Sequence, residues 1–147
     1  MLKIITLNLN GIRAAASKGW LDWLAAQDAD IVCVQELKAQ AADLTDGMRQ
    51  IGKLLTGYFH HAEKKGYSGV GLYAKPEHRP ERVTEGIGVP EFDAEGRYLR
   101  VDWPGLSVIS LYVPSGSSSP ERQAAKFRFL EVFYPRLQAL RAEAAKP

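Results

Sequence analysis

Apolar and polar positions along the chain change period several times, and each change predicts an element. Residues 3–7 form a short apolar, β-branched run. It ends at Asn8-Leu9-Asn10-Gly11, an Asx/Gly cluster that turns a chain leaving a strand. Trp20, Trp23, Leu24 and Gln27 follow at i, i+3, i+4 and i+7, which predicts a helix with both tryptophans as core anchors on one face. Asp30 leads into Ile31-Val32-Cys33-Val34, a continuous apolar run suited to a strand covered on both sides, and the run stops at Gln35-Glu36-Leu37-Lys38. A second helix is expected over residues 43–55. From there the period moves towards two. Residues 58–62, 69–74, 97–103 and 106–113 read as strands, with Pro104-Gly105 turning a hairpin between the last two. The Pro- and charge-rich stretch 76–91 reads as a surface connection holding one short strand, 82–84.

Ser117-Ser118-Ser119-Pro120-Glu121 combines a serine N-cap, a proline at the first helical position and an early acid, and so opens a final helix. Phe127, Leu130, Phe133, Leu137 and Leu140 form its predicted apolar face. Pro135 removes one backbone donor and crowds the Glu131 carbonyl, so the helix is expected to kink or split there. No repeat or linker interrupts the chain, which reads as a single unit. The order strand, helix, strand, helix, several antiparallel strands, helix predicts a layered α/β sandwich.

Composition narrows the class. A chain of 147 residues is about one domain, and 46% hydrophobic with 24% charged residues excludes disorder and collagen-like repeats. Cys33 is the only cysteine, which excludes an intrachain disulfide and a C-x-x-C zinc site and points to a reducing, cytoplasmic compartment. The longest uncharged run, residues 103–120, is broken by prolines and glycines, so no membrane partner is expected. The amino terminus has no apolar h-region and reads as structure rather than as a targeting signal. The net charge of +2 says little, but residues 120–147 carry six Lys/Arg against three Glu. That surplus reads first as a solvated helix face and second as a lean towards polyanions.

Three polar groups fall at the exits of three predicted strands: Asn8, Glu36 and Tyr112. Ligand sites of α/β sheets gather outside strand ends, so one rim could unite them. Each also has an ordinary structural reading, as a turn asparagine, a solvated glutamate and a core tyrosine with a wet hydroxyl. Pattern alone therefore leaves an α/β enzyme and a binding domain both open. A carboxylate with an amide oxygen suits a hard cation such as Mg²⁺, and hence phosphodiester hydrolysis. His60, His61 and His78 fit no metal template, and adjacent strand residues such as His60 and His61 point to opposite faces.

Five motifs in order carry a resemblance: Asn8-Leu9-Asn10-Gly11-Ile12-Arg13, Val34-Gln35-Glu36-Leu37-Lys38, Gly66-Tyr67-Ser68-Gly69-Val70-Gly71, Glu95-Gly96-Arg97 and Tyr112-Val113-Pro114. The chain resembles the exonuclease III family of abasic-site endonucleases, within the endonuclease/exonuclease/phosphatase superfamily. The resemblance runs from Met1 through the last helix yet covers only about the amino-terminal half of a family domain. It implies half of a four-layered α/β sandwich, a mixed, mostly antiparallel sheet with flanking helices. It further implies Glu36 as principal Mg²⁺ ligand (Mn²⁺ being the alternative), with Asn8 in the metal shell and Asn10 near the phosphate. Tyr112 becomes the active-site tyrosine. Arg13, Lys18 and Lys38 would lie along a DNA backbone, and Tyr67, Ser68 and Arg97 would touch the nucleic acid. Ser115 stands where several relatives carry Asn or Gln, and can still donate a hydrogen bond to a phosphate.

The implied substrate is double-stranded DNA with abasic sites or 3′ ends, cut by a monomeric full-length enzyme. The family's Gly-Asp-x-Asn strand end and terminal Ser-Asp-His motif, which supply the activation of water, do not occur here. These residues alone are therefore expected to be inactive. A non-catalytic DNA-binding or partner-requiring half-domain is the alternative from another class. A third reading keeps the superfamily with a phosphoinositide or other small phosphodiester, against which the Gly-Tyr-Ser-Gly and Gln-Glu-Leu-Lys spellings favour DNA.

Overall fold

A computed structural model describes residues 1–146. The elements run β1 (Ile4–Asn8), α1 (Ile12–Ser17), α2 (Trp20–Ala25), β2 (Ile31–Gln35), a 3₁₀ turn (Ala41–Asp43), α3 (Asp46–Arg49), β3 (Gln50–Ile51), β4 (Leu55–His60), β5 (Val70–Ala74), β6 (Arg82–Glu85), α4 (Pro90–Asp93), β7 (Tyr98–Trp103), β8 (Leu106–Leu111) and α5 (Pro120–Ala144). The chain divides into two compact units, Met1–Tyr112 and the segment from Val113 onward.

The first unit holds two sheets, ordered β1-β2-β5-β4-β3 and β6-β7-β8. β1 and β2 are parallel, pairing Ile4 with Ile31 through Asn8 with Gln35, and every other pairing is antiparallel. β2 is buried on both faces, as its unbroken apolar run predicts. Val32 and Val34 face a core with Ile12, Trp20 and Leu24 of the two short helices and Tyr73 of β5. Ile31 and Cys33 face the opposite way, against Val70, Leu72 and Ala74 of β5 and Leu99 and Val101 of β7. This second core joins sheet to sheet, and the Ser110 hydroxyl donates across it to the Val34 carbonyl (3.1 Å). On the helix side the Tyr73 ring meets Trp20 and Phe59 edge-on, at 5.7 and 5.6 Å between centroids. Phe59 lies where side chains on Gly57 and Gly71 would stand, since a Cβ on Gly71 would come within 2.7 Å of its ring.

Strand positions follow the sequence-based expectation closely. The expected helix over 43–55 does not form. Leu44, Met48, Ile51 and Leu55 recur at helical spacing and are all buried. The chain delivers them through the 3₁₀ turn, one short helix capped by Thr45, and a tight β3–β4 hairpin through Gly52 at φ 55°. Trp20 is a core anchor, whereas Trp23 is 45% exposed, because α2 buries Trp20 and Leu24 and packs Leu21 and Ala25 beside them, which leaves Trp23 on the outer side.

In the second unit, Ser119 caps α5 by accepting the Arg122 N–H (3.1 Å), with Pro120 opening the helix. The helix continues through Pro135 as one element. Its buried residues are Ala125 and Phe129, while Phe127, Leu130 and Leu137 of the expected face are exposed. Apolar side chains surround this helix, so periodicity alone selects the wrong stripe.

Candidate active site

Three strand exits meet at one rim because the backbone ties them there. Past Gln35 the chain cannot continue the ladder. The Leu9 N–H donates to Gln35, Gly11 to Glu36 and Ile12 to Leu37, all within 2.9 Å, which binds the exit of β2 to the β1–α1 turn. From the other side, Leu37 donates to Gly69 (3.1 Å) and Lys38 to Ser68 (2.8 Å). Fully buried Leu37 anchors this turn in the core. Glu36 and Lys38 on either side of it adopt φ of 52° and 49°, and Asn10 and Ser68 adopt 46° and 45°. These are four of the five non-glycine residues in the left-handed region among the described residues. Holding a glutamate and a lysine there costs roughly 1–2 kcal/mol each, which the anchoring of Leu37 offsets.

Side chains close the arrangement. The Asn8 amide donates to Glu36 Oε1 (2.9 Å), while its own Oδ1 accepts the Asn10 N–H (2.9 Å). That pair of bonds fixes which end of the Asn8 amide faces the carboxylate. Lys38 Nζ lies 2.6 Å from Asn10 Oδ1 and 3.5 Å from Glu36 Oε2. The Tyr112 side chain, from the exit of β8, faces the same carboxylate closely enough for each to shift the other's ionisation. Asn8, Asn10, Glu36, Lys38 and Tyr112 thus form one connected group.

Arg97 holds Tyr112 in place. Its guanidinium is 2% exposed and donates to the Tyr112 carbonyl (3.1 Å), the Tyr67 hydroxyl (2.8 Å) and Glu95 Oε2 (2.8 Å). It stacks over the Tyr112 and Tyr67 rings at 5.2 and 5.8 Å, and its own carbonyl accepts the Tyr112 N–H (2.9 Å). Gly96 makes this possible. At φ 59° it runs against the 60–62 backbone, where a Cβ would meet the Ala62 nitrogen at 2.6 Å. Arg97 therefore differs from its sequence-based expectation as a group touching nucleic acid: Nη1 and Nη2 donate inside the protein, and Nε is buried without a partner among the described residues. Ser68 is also buried, and its hydroxyl has no partner among the described residues. Glu95, which the sequence offered only within the Glu-Gly-Arg motif, is a member of the site through Tyr67 and Arg97.

Other expected residues are more peripheral. Arg13 is exposed, donates to the Lys38 carbonyl (2.9 Å) and lies 4.0 Å from Asp43. Lys18 shares with Asn10, Trp20 and Trp23 a cleft of about 420 Å³. Ser115 is exposed and belongs to the second unit. His60 and His61 each pair through Nδ1 with a backbone carbonyl, of Tyr98 and Ala39 respectively, so both rings serve the fold.

Burial pushes the Glu36 carboxyl up, but the Asn8 hydrogen bond, the facing Tyr112 side chain and the charge of Lys38 outweigh it, and its pKa is net lowered. Glu36 is an anion at neutral pH. Tyr112 moves upward, first through burial and then through the Glu36 charge, with Arg97 partly opposing. It stays a hydroxyl and a donor. For a metal, the rim offers one ionised carboxylate and one remaining lone pair on Asn8 Oδ1. No group of three or more His, Cys, Asp or Glu able to hold a metal occurs among the described residues. That donor set does not fit a closed zinc or calcium cage. It fits Mg²⁺, which binds through one or two carboxylates and fills its other positions with waters and substrate phosphate.

Comparison with known proteins places this geometry. Residues 5–145 match the Endonuclease/Exonuclease/phosphatase family. DNA repair nuclease APEX1 of Danio rerio is 39% identical over 120 residues, covering 79% of this chain and 37% of that protein. The exodeoxyribonuclease of Bacillus subtilis is 38% identical over 124 residues, covering 82% and 46%. An AP endonuclease from Archaeoglobus fulgidus superposes with a TM-score of 0.79 at 30% identity, over 95% of this chain and 52% of that one. The 3′-5′ exonuclease of Neisseria meningitidis shares the fold, with a TM-score of 0.80 at 21% identity. The chain spans less than half the length of these curated relatives and about half of the solved ones. With five motifs at one rim and a match along nearly its whole length, this chain belongs to the endonuclease/exonuclease/phosphatase family of nucleases and phosphodiesterases.

Proposed function

We propose that these residues are the amino-terminal part of a Mg²⁺-dependent DNA-repair nuclease that hydrolyses phosphodiesters 5′ to abasic sites and at 3′ ends. Mn²⁺ is the alternative metal. The observation that carries this reading is the ionised Glu36 carboxylate, held by Asn8 and Lys38 and faced by Tyr112 at the meeting of three strand exits. Glu36 would hold the ion, with Asn8 fixing the carboxylate and offering one oxygen. Bound there, Mg²⁺ supplies positive charge against the developing charge on the phosphodiester oxygens. Tyr112 remains protonated and presents a donor to a phosphate oxygen, with Arg97 fixing its ring and backbone. Exposed Arg13 and Lys18 add sequence-independent attraction for the DNA backbone. The names of the relatives, a DNA repair nuclease, an exodeoxyribonuclease and AP endonucleases, favour DNA over a phosphoinositide. A single buried Cys33 suits a reducing cytoplasm.

No residue resembling the family's water-activating motifs occurs in the chain, so we expect these 147 residues to be inactive alone. The test is Mg²⁺-dependent incision of a duplex carrying one abasic site. We expect no cut from the chain alone. We expect incision from a protein that carries it within a domain of the relatives' length, and loss of incision in Glu36→Ala with unchanged circular dichroism. Unaltered turnover in Glu36→Ala refutes the metal assignment. Robust cleavage by the 147 residues, lost in Glu36→Ala, refutes their incompleteness.

A second reading, a DNA-binding half-domain that requires a partner, draws on one observation. Among the described residues β1 is an edge strand with one side unpaired, and Leu2 just before it and Ile4 at its start are 49% and 46% exposed. A folded monomer by sedimentation at micromolar concentration counts against obligate partnering.

A further inference from the structure

We infer that Lys38 is a place-holder cation: its ammonium stands on the Glu36 carboxylate that a divalent ion would draw on, so Lys38 and the metal compete for Glu36. The inference rests on the proposed metal role of Glu36 and goes beyond it. Two oxygens converge on Lys38 Nζ, Asn10 Oδ1 at 2.6 Å and Glu36 Oε2 at 3.5 Å. A lysine ammonium has three donors and no acceptor, so it serves such oxygens as a compact hard cation does. Its placement is built in. The Lys38 N–H is held by the Ser68 carbonyl and its own carbonyl by Arg13, with the backbone at φ 49°. The side chain is fixed at its root and flexible along its stem. Glu36 and Lys38 are two residues apart, yet they share one rim because Leu37 between them is pinned in the core.

The consequence is chemical. Without metal, the ammonium neutralises the charge of a half-buried carboxylate that the Asn8 amide hydrogen-bonds but does not neutralise. A doubly charged ion bound to Glu36 at the ~2.0–2.1 Å of a Mg²⁺–oxygen bond would stand a few ångströms from a like charge. Lys38 must then leave, and its departure lowers the apparent metal affinity. Its freed ammonium has exposed Arg13 as a neighbour on the same rim, the charge a phosphate would meet.

The experiment measures Mn²⁺ binding by electron paramagnetic resonance of the free ion, on the 147-residue protein at low ionic strength. Four proteins are compared: wild type, Lys38→Met, Glu36→Gln and Lys53→Met. The last removes a charge in the exposed turn before β4 and controls for net charge. We expect Lys38→Met to bind roughly fivefold more tightly than wild type, the effect of removing one partly exposed ion pair. Lys53→Met should match wild type, and Glu36→Gln should lose the site. Unchanged or weaker binding in Lys38→Met, with Glu36 still required, overturns the place-holder role and leaves the metal assignment standing. Equal tightening in Lys53→Met also overturns it, as a general charge effect. Binding that is absent from wild type and Lys38→Met alike, or indifferent to Glu36→Gln, overturns the metal assignment and the inference with it.

Discussion

Removal of the Arg97 guanidinium should be felt first at Tyr112, because one buried side chain holds that residue by carbonyl and by ring. Arg97→Ala should cost about 3 kcal/mol, the scale for breaking a buried charged pair, read as a lowered urea midpoint with an unchanged slope. Arg97→Lys should recover only part of this, since an ammonium cannot reproduce three directed donors and two stacked faces. A variant as stable as wild type would mean that the cluster is ornamental. The polar identities of the site were legible in the sequence, since Asn8, Glu36 and Tyr112 fall at strand exits. The inward turn of Arg97 was not. A motif names a guanidinium but not the direction it takes, and here that direction is set by Gly96 running against the 60–62 backbone. Lys38 likewise reads as a phosphate contact in sequence, while the left-handed turn places its ammonium on Glu36 and Asn10.

Elements with strict alternation or unbroken apolar runs were readable; those whose period is shared by two structures were not. β2, β5 and the β7–β8 hairpin follow directly from pattern. The stretch from Leu44 to Leu55 carries a helical period, but its helix ends at Arg49 and the chain folds back through Gly52 instead. One consequence of close packing can be tested in β5. Gly71 has room for no side chain, because a Cβ would stand 2.7 Å from Phe59 and 3.1 Å from Val34. Gly71→Ala should destabilise the protein by about 1–3 kcal/mol through overpacking, seen in the chemical denaturation midpoint. Adding Phe59→Leu should return part of the loss, because the ring is the obstacle. A neutral Gly71→Ala would show that the Phe59 ring can move aside freely.

At the scale of the whole molecule, the chain supplies three strand exits and a carboxylate, but it spans about half of its solved relatives. The absence of the family's Gly-Asp-x-Asn and Ser-Asp-His motifs from these residues agrees with that partial span. The exposed apolar side chains of α5, Phe127, Leu130, Tyr134 and Leu137, were not foreseen, because composition spreads them around the helix. The proposal that Glu36 is the metal-binding carboxylate is what joins the site to the family. The most direct measurement is Mn²⁺-induced broadening of amide resonances in the isotope-labelled 147-residue protein. We expect broadening to radiate from Asn8, Asn10, Glu36 and Tyr112 and to vanish in Glu36→Gln. Broadening centred on the Asp28–Asp30 cluster that binds Lys75, or spread without a centre, would contradict the assignment of Glu36 and the function built on it.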